Sequence, residues 1–417
     1  MRMVIGSEIE YGIGLASHAP ADPVTLSEQV VSRVRGTFQG SADRMLGNGG
    51  RVYVDHAHPE WSGPESVSAR DVLTWELAGD SLMEDGAGDQ IVLHKNNTDG
   101  KGRSYGYHEN FLLPRELAWQ DIVEQFTGHV VSRVVLVGAG RVGRGQLGDE
   151  PGFQTSQRAD FMETLVARET TVRRPLVNAR DEPHANPARW RRLHQITGDA
   201  TLAHVATLVK IGASALVLAA IAAGECRVPT LSDPLAAIRA YSRDVSLTMK
   251  QPCTDGIART ALELQSEYWK ATRPFTEALE DGREVLDWWG GLIADASHGP
   301  AAIVDRVDWA AKHRLITGLM RRRGWDWTDP AVAALDLQWH ELSERGLARR
   351  LQASGSLVNL ASPIAVEHAR FDPPTGTRAA VRGALLNRRE REVVAADWTS
   401  VRLPQQTIAL PDPFTGH

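Results

Sequence analysis

The stretch from residue 48 to residue 65, NGGRVYVDHAHPEWSGPE, constrains the fold more than any other part of the chain. Its opening Asn-Gly-Gly predicts a turn, and residues 51–55 then alternate between large polar side chains and valines, a pattern typical of a strand with one face on a core. The polar face carries Arg51, Tyr53 and Asp55, and Glu60 follows within a turn. An arginine, a phenol and two carboxylates are costly to bring together unless they bind a ligand; the alternative is an edge strand with a solvated outer face.

A second predicted strand lies near the N-terminus, at residues 4–13. Glu8 and Glu10 are two residues apart in it, so their carboxylates lie on the same face of the strand. Two adjacent carboxylates repel each other, and a hard cation is the natural compensation. Together with Tyr53 and Glu60 they predict an oxygen-rich site suited to magnesium rather than zinc.

Composition excludes several classes of protein. The 417 residues can hold two or three average domains, or one large domain with an appendage, and they are enough for a substantial core. The net charge of -6 is mild, and no basic run is interleaved with aromatic residues, so nucleic-acid binding is not expected. Two cysteines, Cys226 and Cys253, are too few for a disulfide framework or a cysteine-based metal site.

The most apolar run, residues 205–223, is interrupted by Lys210, and its clean remainder is shorter than the roughly 20 residues that a membrane span needs. We interpret it as a buried core helix and expect no membrane partner. The N-terminus enters a predicted strand without a charged and then apolar leader, so we expect a cytoplasmic protein.

A glycine motif, Gly-Ala-Gly-Arg-Val-Gly at residues 138–143, follows an apolar run at 133–137 that reads as a strand. It has the form of a dinucleotide-binding fingerprint, which requires a helix to open at the last glycine. Residues 144–152 contain three further glycines and a proline and cannot form that helix. We therefore predict a glycine turn that lets the backbone approach a ligand or another strand.

Seven motifs together resemble one protein family, that of the Pup ligase and the Pup deamidase/depupylase. The matching segments run in order from residue 4 to about residue 345 and are GSEIEYG, NGGRVYVDHAHPEWSGPE, KNNTDGKGRSYGYHENF, GAGRVG, SQRADF, NARDEPHANPARWRRLH and DRVDWAAKHRL. Within the family, DHAHPE and SQRADF resemble the depupylase branch, whereas the ligase branch typically has DVGSHPE at the first position. Members of the depupylase branch also carry a long insertion where this chain has only residues 40–47.

The resemblance implies an α+β fold, in which a glutamine-synthetase-like domain presents a curved antiparallel sheet packed by helices. We expect this domain to span residues 1–347, and a small C-terminal domain rich in short strands to span residues 348–417. A helical turn from Pro187 into Arg192 is also expected from the local sequence.

The resemblance also implies a set of site residues. Glu8, Tyr53 and Glu60 are implied as metal ligands, Glu10 is added because it shares a strand face with Glu8, and His108 and His194 are candidates for a second metal. The candidates for binding the nucleotide are Arg51, Ser62, Asn110, Arg180, Arg192 and Trp398. For Arg180, Arg192, His194 and the neighbouring His184, a structural salt bridge or cap is the alternative; for Trp398 it is packing in a small core.

The implied reaction is hydrolysis of the amide that joins the C-terminal side chain of Pup to a lysine, or of the C-terminal glutamine of Pup. It requires Mg2+ and ATP, or ADP plus phosphate. We expect Asp55 to be catalytic, either as a general base that activates water or as a nucleophile. Pup and pupylated proteins are the expected partners, and a functional link to the bacterial proteasome is a further expectation.

Three alternatives stay open at this point. The same site could run as a Pup-protein ligase, or it could belong to a related ATP-dependent carboxylate-amine ligase or amidase with another substrate. A binding protein with a dead active site is disfavoured, because no metal carboxylate is missing. A zinc site at His56 and His58 is also disfavoured, since Asp55 abuts His56 directly and the spacing is wrong.

Overall fold

The structure is a computed structural model that describes residues 2–40, 42–146, 148–388 and 392–414. The strands in these ranges are β1 Ile5–Glu10, β2 Gly12–Leu15, β3 Thr37–Gly40, β4 Asp43–Met45, β5 Arg51–Asp55, β6 His58–Ser62, β7 Ile91–His94, β8 Tyr107–Pro114, β9 Arg141–Gly143, β10 Gly152–Gln154, β11 Thr164–Ala167, β12 Pro175–Asn178, β13 Trp190–Gln195, β14 Lys250–Pro252, β15 Ala258–Thr260, β16 Ala395–Ala396, β17 Ser400–Leu403 and β18 Gln406–Ala409.

Helices account for most of the remaining described residues. The α-helices are α1 Pro23–Arg33, α2 Ala69–Ala87, α3 Trp119–Ser132, α4 Val134–Val137, α5 His204–Ala222, α6 Pro234–Arg243, α7 Ala261–Thr272, α8 Gly282–Ala296, α9 Asp308–Arg323, α10 Pro330–Trp339, α11 Leu347–Ala353, α12 Pro363–Ala369 and α13 Arg378–Arg388. Short 3-10 helices lie at Ala159–Phe161, Arg273–Ala278 and Pro300–Ile303.

The largest sheet has seven strands in the order β13-β8-β1-β6-β5-β4-β3, and its neighbouring strands are antiparallel. Because side chains alternate along a strand, each strand sends one set of residues to each face. Helices α1, α2 and α5 pack against one face. The buried apolar side chains on that face include Ile5, Ile9, Trp61, Phe111 and Leu193. This antiparallel sheet packed by helices confirms the predicted α+β fold.

The predicted strand at residues 4–13 is divided in two. β1 ends at Glu10, and β2 leaves the main sheet to pair with β7. Tyr11 lies at the break, where it is buried and its hydroxyl donates to Asp80 at 2.7 Å. The buried ammonium of Lys95 lies 2.9 Å from Asp80 and 3.2 Å from Glu76, so these acids have a cation partner in the core.

The predicted core helix is present as α5. It is apolar and long enough to cross a membrane by composition, but 94% of its most apolar window is buried inside the protein, as in the core helix of a soluble protein. Its one charged residue, Lys210, donates to the carbonyl oxygen of Asp199 (2.5 Å) and to Thr201 Oγ1 (2.9 Å) and lies 3.4 Å from the ring centre of Tyr107. Burial lowers the pKa of Lys210 to about 8.

One local prediction is wrong, and another holds only in part. The apolar run before the glycine motif is not a strand: α4 continues the helical path of α3, because its four valine and leucine side chains are all buried. The predicted helical turn does begin at Pro187, where the backbone N–H of Trp190 donates to the carbonyl oxygen of Asn186 (3.0 Å), but it ends at Arg189. Residues 190–195 instead form β13, whose six residues all pair with β8. In both cases tertiary packing overrides the local pattern. Within the glycine motif, Gly140 has a φ of 75° and its backbone N–H donates to the carbonyl oxygen of Thr155 (2.9 Å), and residues 141–143 form β9, which pairs with β10. The motif thus brings the backbone close to another strand, as predicted.

The C-terminal segment, residues 348–414, is more helical than expected. It contains α11, α12 and α13 as well as the three-stranded sheet β16-β17-β18. Arg378 and Arg382 of α13 both pair with the carboxylate of Glu65, which follows β6. This buried ion-pair cluster attaches the segment to the main sheet. The shortened stretch 40–47 contains the turn between β3 and β4, and Ser41 within it lies outside the described residues.

The packing of α2 on the sheet gives a test of the fold. A Cβ at Gly79 would come within 2.5 Å of the indole of Trp61. We expect Gly79→Ala to lower the free energy of unfolding by about 1–3 kcal/mol, because the indole has no room to move in the core. Gly318→Ala in α9 is the control: nothing lies within 4 Å of its Cβ, and better helix propensity should leave the melting temperature equal or higher. Equal melting temperatures for the two variants would contradict this packing.

Candidate active site

The polar face of the main sheet forms the floor of a cleft of about 1660 Å³. Strand pairing places Glu10 opposite Glu60, and Glu60 opposite Tyr53. The next row pairs Glu8 with both Ser62 and His108. Nearly every site residue predicted from the sequence lines this cleft: Glu8, Glu10, Arg51, Tyr53, Asp55, Glu60, Ser62, His108, Arg180, His184, Arg192, His194 and Trp398. Asn110 lines a smaller adjoining pocket of about 90 Å³.

Glu8 and two histidines form the first group of possible metal ligands. A ligand atom from each of Glu8, His108 and His194 lies within 4.8 Å of the others. The Glu8 carboxylate is also 3.1 Å from His108 Nδ1 and accepts from Asn110 Nδ2 at 3.0 Å, and Arg192 Nη1 is 3.6 Å away. Burial opposes ionisation, but these histidine, amide and guanidinium neighbours lower the pKa of Glu8, so it is a carboxylate at neutral pH.

Glu10, Asp55 and Glu60 form the second group, and their ligand atoms also lie within 4.8 Å of one another. Glu60 is 1% exposed and has no ion-pair partner among the described residues. Burial and the charges of Glu8 and Glu10 raise its pKa well above the ordinary value. Burial and the adjacent Glu60 likewise raise the pKa of Tyr53, so it is a neutral phenol. No described lysine or arginine forms an ion pair with this group, and its basic contacts are the imidazoles of His56, 2.8 Å from Asp55, and His108, 4.0 Å from Glu10.

The donor atoms of the second group fit magnesium. They are carboxylate oxygens, with the phenol oxygen of Tyr53 beside them, and magnesium prefers oxygen ligands. The sequence predicted one site from Glu8, Glu10, Tyr53 and Glu60, whereas the structure groups Glu8 with the histidines and Glu10 with Asp55. The first group combines one carboxylate with two imidazoles. Imidazole suits transition metals better than magnesium, so this group fits magnesium less well than the second.

Asp55 lies at the end of β5, opposite His58. Its carboxylate is partly open to the cleft, and one oxygen lies 2.8 Å from His56 Nδ1. His56 has a φ of 53°, an uncommon conformation for a non-glycine residue that often occurs at functional sites. His58 instead contacts the carbonyl oxygen of Tyr11 through Nδ1 (2.9 Å) and stacks on Tyr105, so it stabilises the turn.

The predicted nucleotide-binding residues lie in different environments. Arg51 donates to both oxygens of Asp43, at 2.8 and 2.5 Å, which fixes the plane of its guanidinium at the edge of the cleft. Arg180 is about half exposed and forms a salt bridge of 3.0 Å with Glu182. A structural salt bridge was the alternative to nucleotide binding for this residue. The indole of Trp398 borders the cleft and also packs on the small C-terminal core, and its ring centre is 5.0 Å from Cζ of Arg382.

Some cleft residues were not predicted from the sequence. Arg158, in the SQRADF motif, and Arg174 both line the cleft, although neither is close in sequence to the other site residues. Asp43 and Glu65 were also missed as partners of arginines. The motif containing Arg158 was a signal, but only the structure shows that its side chain faces the cleft.

Comparison with known proteins gives the family. The sequence pattern described as "Pup-ligase protein" matches residues 3–402. The chain belongs to the Pup ligase family. A similar member is the Pup deamidase/depupylase of Mycobacterium tuberculosis (strain CDC 1551 / Oshkosh), 37% identical over 458 aligned residues covering 96% of this chain and 91% of the relative. The Pup--protein ligase of Sanguibacter keddieii is 35% identical, over 99% of this chain and 96% of the relative.

Two solved structures of the family member PafA resemble this one. The complex between the prokaryotic ubiquitin-like protein Pup and its ligase PafA has a TM-score of 0.90 and 28% identity, covering 100% of this chain and 90% of that chain. The Pup ligase PafA in complex with ADP has a TM-score of 0.81 and 31% identity, covering 91% of this chain and 88% of that chain. These similarities confirm the predicted family and its glutamine-synthetase-like fold.

The charge balance of the cleft can be tested by the same substitution at two buried glutamates. Glu60→Gln should raise the melting temperature of the metal-free protein by about 1–3 °C, because it removes a buried carboxylate that has no cation. The variant should also lose most of the stabilisation that added MgCl2 gives to the unchanged protein. If the metal-free Glu60→Gln protein melted at a lower temperature than the parent, the claim that the Glu60 carboxylate destabilises the metal-free protein would be wrong.

Glu65→Gln is the matched control with the opposite sign. Burial alone would raise its pKa, but Arg382 and Arg378 lower the pKa of Glu65 to about 2. The substitution leaves two buried arginines without their anion, so we expect the free energy of unfolding to fall by about 3–5 kcal/mol. Since its folded pKa lies below the ordinary value of 4.5, its stabilisation is present above pH 4.5 and is lost as the pH falls towards about 2.

Proposed function

We propose that the protein is an Mg2+- and ATP-dependent amidohydrolase that cleaves the isopeptide bond between Pup and substrate lysines and deamidates the C-terminal glutamine of Pup. The observation that carries this proposal is the position of Asp55. Its carboxylate is open to the cleft, and one of its oxygens lies within 4.8 Å of a carboxylate oxygen of Glu10 and of Glu60. A water molecule or an amide carbonyl that reaches this group therefore meets a base or nucleophile.

The residues of this chain supply most of the reaction. One oxygen of Asp55 would take a proton from the attacking water, while the contact with His56 keeps the carboxylate in orientation; the C–N bond then breaks and the amine leaves with that proton. Alternatively, Asp55 would itself attack the amide carbon, and the amine would leave with a proton from water; a second step, in which water hydrolyses the resulting anhydride, would then free the carboxylic acid and restore Asp55. Glu10, Glu60, Tyr53 and Glu8 would hold magnesium, which when bound polarises the carbonyl oxygen. The PafA complex with ADP supports a nucleotide in the cleft.

The nucleotide would lie toward the end of the cleft that contains Trp398. Ser62 and Arg192 line both the cleft and the adjoining small pocket there, and Arg51 pairs across the strands with Ser62. Arg51 and Arg192 offer permanent positive charges to phosphate, and the flat indole of Trp398 offers a stacking surface for a base. Asn110 connects Glu8 with Arg192 through hydrogen bonds of 3.0 and 3.2 Å.

The Pup-protein ligase is the second candidate function. The DHAHPE sequence and the identity with the depupylase favour hydrolysis, whereas the ligase relative covers more of the chain and the similar structures are ligases. In the ligase direction Asp55 would take the proton of a lysine amine that attacks an activated carboxylate. A related amidase or ligase with a substrate other than Pup is the third reading.

The proposed partners are Pup and pupylated proteins, in the cytoplasm, with a functional link to the bacterial proteasome. The complex of Pup with PafA supports Pup as the partner. A disordered acidic chain loses conformational entropy when it binds, so it needs an extended and complementary surface. The length of the cleft, which reaches from Trp398 to Gln338 and Arg345 near the end of α10, supports such a partner.

Three parallel reactions with Mg2+ and ATP separate these functions. The substrates are a Pup-lysine conjugate, Pup ending in glutamine, and Pup ending in glutamate together with an acceptor protein. Release of free acceptor or of ammonia is the expected result. Formation of a conjugate together with ADP would establish the ligase instead. Nucleotide binding without any of these reactions would show that the substrate is not Pup.

The role of Asp55 has a direct test. We expect Asp55→Asn to lower turnover by at least about 1000-fold, because an amide can neither accept the proton nor attack the carbonyl. Binding of a fluorescent ADP analogue should change less than about threefold, since the predicted nucleotide residues are intact. Asp287→Asn, on the exposed surface of α8, is the matched control and should keep full activity. Turnover by Asp55→Asn at the parental rate would remove Asp55 from the mechanism.

A further inference from the structure

Two arginines of the cleft have no acidic partner. Arg158 is 1% exposed, and its guanidinium donates through Nη1 to the carbonyl oxygen of Tyr105, while its buried Nε has no hydrogen-bond partner. Arg174, which is partly buried, donates through Nη2 to the carbonyl oxygen of Ser104 at 2.9 Å. Neither arginine forms an ion pair with any residue in the described ranges, and both line the cleft.

This arrangement is costly without a ligand. A buried guanidinium that has no carboxylate partner loses hydration without a matching attraction, and a second guanidinium nearby adds repulsion. Burial first, and then the charge of Arg174, lower the pKa of Arg158 to about 10, so it still carries its positive charge at neutral pH. Elsewhere in the protein, buried arginines such as Arg133 and Arg382 have direct carboxylate partners. Glu10 and Asp199 act on Arg158 only from beyond ion-pair distance, so its guanidinium has no direct anionic contact among the described residues at this point of the cleft.

The position of the pair indicates which anion it receives. Arg158 contacts Tyr105, immediately before Gly106, whose carbonyl oxygen accepts from the backbone of Glu10. The Trp398 end of the cleft is instead beside Gly6. Gly6 precedes Glu10 by four residues in β1, so the two ends are ~13 Å apart at ~3.3 Å per residue. Asp55 lies at the Arg158 end, because it pairs with His58, whose ring stacks on Tyr105, and because its carboxylate lies within 4.8 Å of that of Glu10. An anion at Arg158 would thus lie at the same end of the cleft as the reacting group and away from a nucleotide at Trp398.

We propose that Arg158 and Arg174 bind the free α-carboxylate of the C-terminal residue of the substrate, the residue whose side-chain amide reacts at Asp55. This inference rests on the proposed function. In both the isopeptide and the C-terminal glutamine, the reacting carbonyl is in the side chain and the α-carboxylate of the same residue is free, only a few bonds away. The fork of guanidinium donors matches a carboxylate in a bidentate manner.

This binding explains how the cleft would select one residue of an acidic chain. Internal glutamate and glutamine residues have the same side chains but no α-carboxylate, so they would leave two buried cations unpaired. Unpaired buried groups are a strong source of discrimination, commonly worth a factor of 100 or more. The arginine pair is therefore assigned to specificity and positioning, and Asp55 to the chemical step.

The test compares two peptides of the Pup C-terminus that end in glutamine, one with a free α-carboxylate and the other with an α-carboxamide. Ammonia release gives kcat/KM for each, and fluorescence anisotropy with Mg2+ and ADP present gives their affinities. In the unchanged protein we expect the α-carboxamide to lower kcat/KM by roughly 100-fold. In Arg158→Gln and in Arg174→Gln this preference should fall to less than about threefold, because the charge that reads the carboxylate is gone.

The matched control is Arg239→Gln. Arg239 is a partly buried arginine outside the cleft that also donates to a backbone carbonyl, that of Met162 at 2.8 Å, and it should keep the full preference. Arg158→Gln removes a buried charge that has no ion-pair partner, so its melting temperature should equal or exceed that of the unchanged protein. Arg174→Gln changes a more exposed residue and tests the loss of the preference independently of any effect on folding.

Each other outcome has a definite meaning. Equal binding and equal turnover of the two peptides by the unchanged protein would refute this inference and leave the proposed function intact. A preference that survives in both arginine variants would place the carboxylate elsewhere and would also refute it. Absence of binding and of turnover with both peptides would refute the proposed function, and this inference with it.

Discussion

The register of β1 between β6 and β8 is the constraint on which the site depends. It sets Glu8 beside His108 and Ser62, and Glu10 beside Glu60, within single rows across the sheet. A slip of β1 by one residue would turn Glu8 and Glu10 toward the helices and bring Ile9 into the cleft. The apolar packing of Ile9 and Trp61 under α2 therefore fixes the geometry of the polar side, since burial of one face decides what the other presents.

Charge is treated differently on the two faces of that sheet. On the side packed by helices, buried charged residues such as Lys95 and Glu109 form ion pairs with other residues of the protein. On the cleft face, neither Glu60 nor Arg158 forms an ion pair with any described residue, although both are almost fully buried. Internal pairing stabilises a fold and nothing more, whereas unpaired buried charges of both signs in one cleft are costly until ligands arrive. The cleft is thus complementary to a cation at one point and to an anion at another.

Much of the sheet and of its polar face follows from the sequence, because a strand repeats every two residues and the pattern at Arg51, Tyr53 and Asp55 is local. What could not be predicted depends on contacts between distant parts of the chain. The local sequence before His194 favours a turn, and only its pairing with β8 makes it a strand. The partners Glu65 and Arg378 are 313 residues apart, and no periodicity links them. The division of the carboxylates into two groups likewise depends on side-chain geometry that the sequence does not contain.

The cluster around Glu65 has a consequence for the order of events during synthesis. Arg382 donates to Glu65, to the carbonyl oxygen of Gly49 (2.8 Å) and to that of Trp398 (3.0 Å), so it joins the turn before β5, the end of β6 and the segment that carries the indole. The strands of the sheet leave the ribosome early, but the cation that neutralises Glu65 leaves it nearly last. A nascent or truncated chain therefore holds the carboxylates of the cleft without the contacts of Arg382, and the complete cleft exists only in a nearly full-length polypeptide.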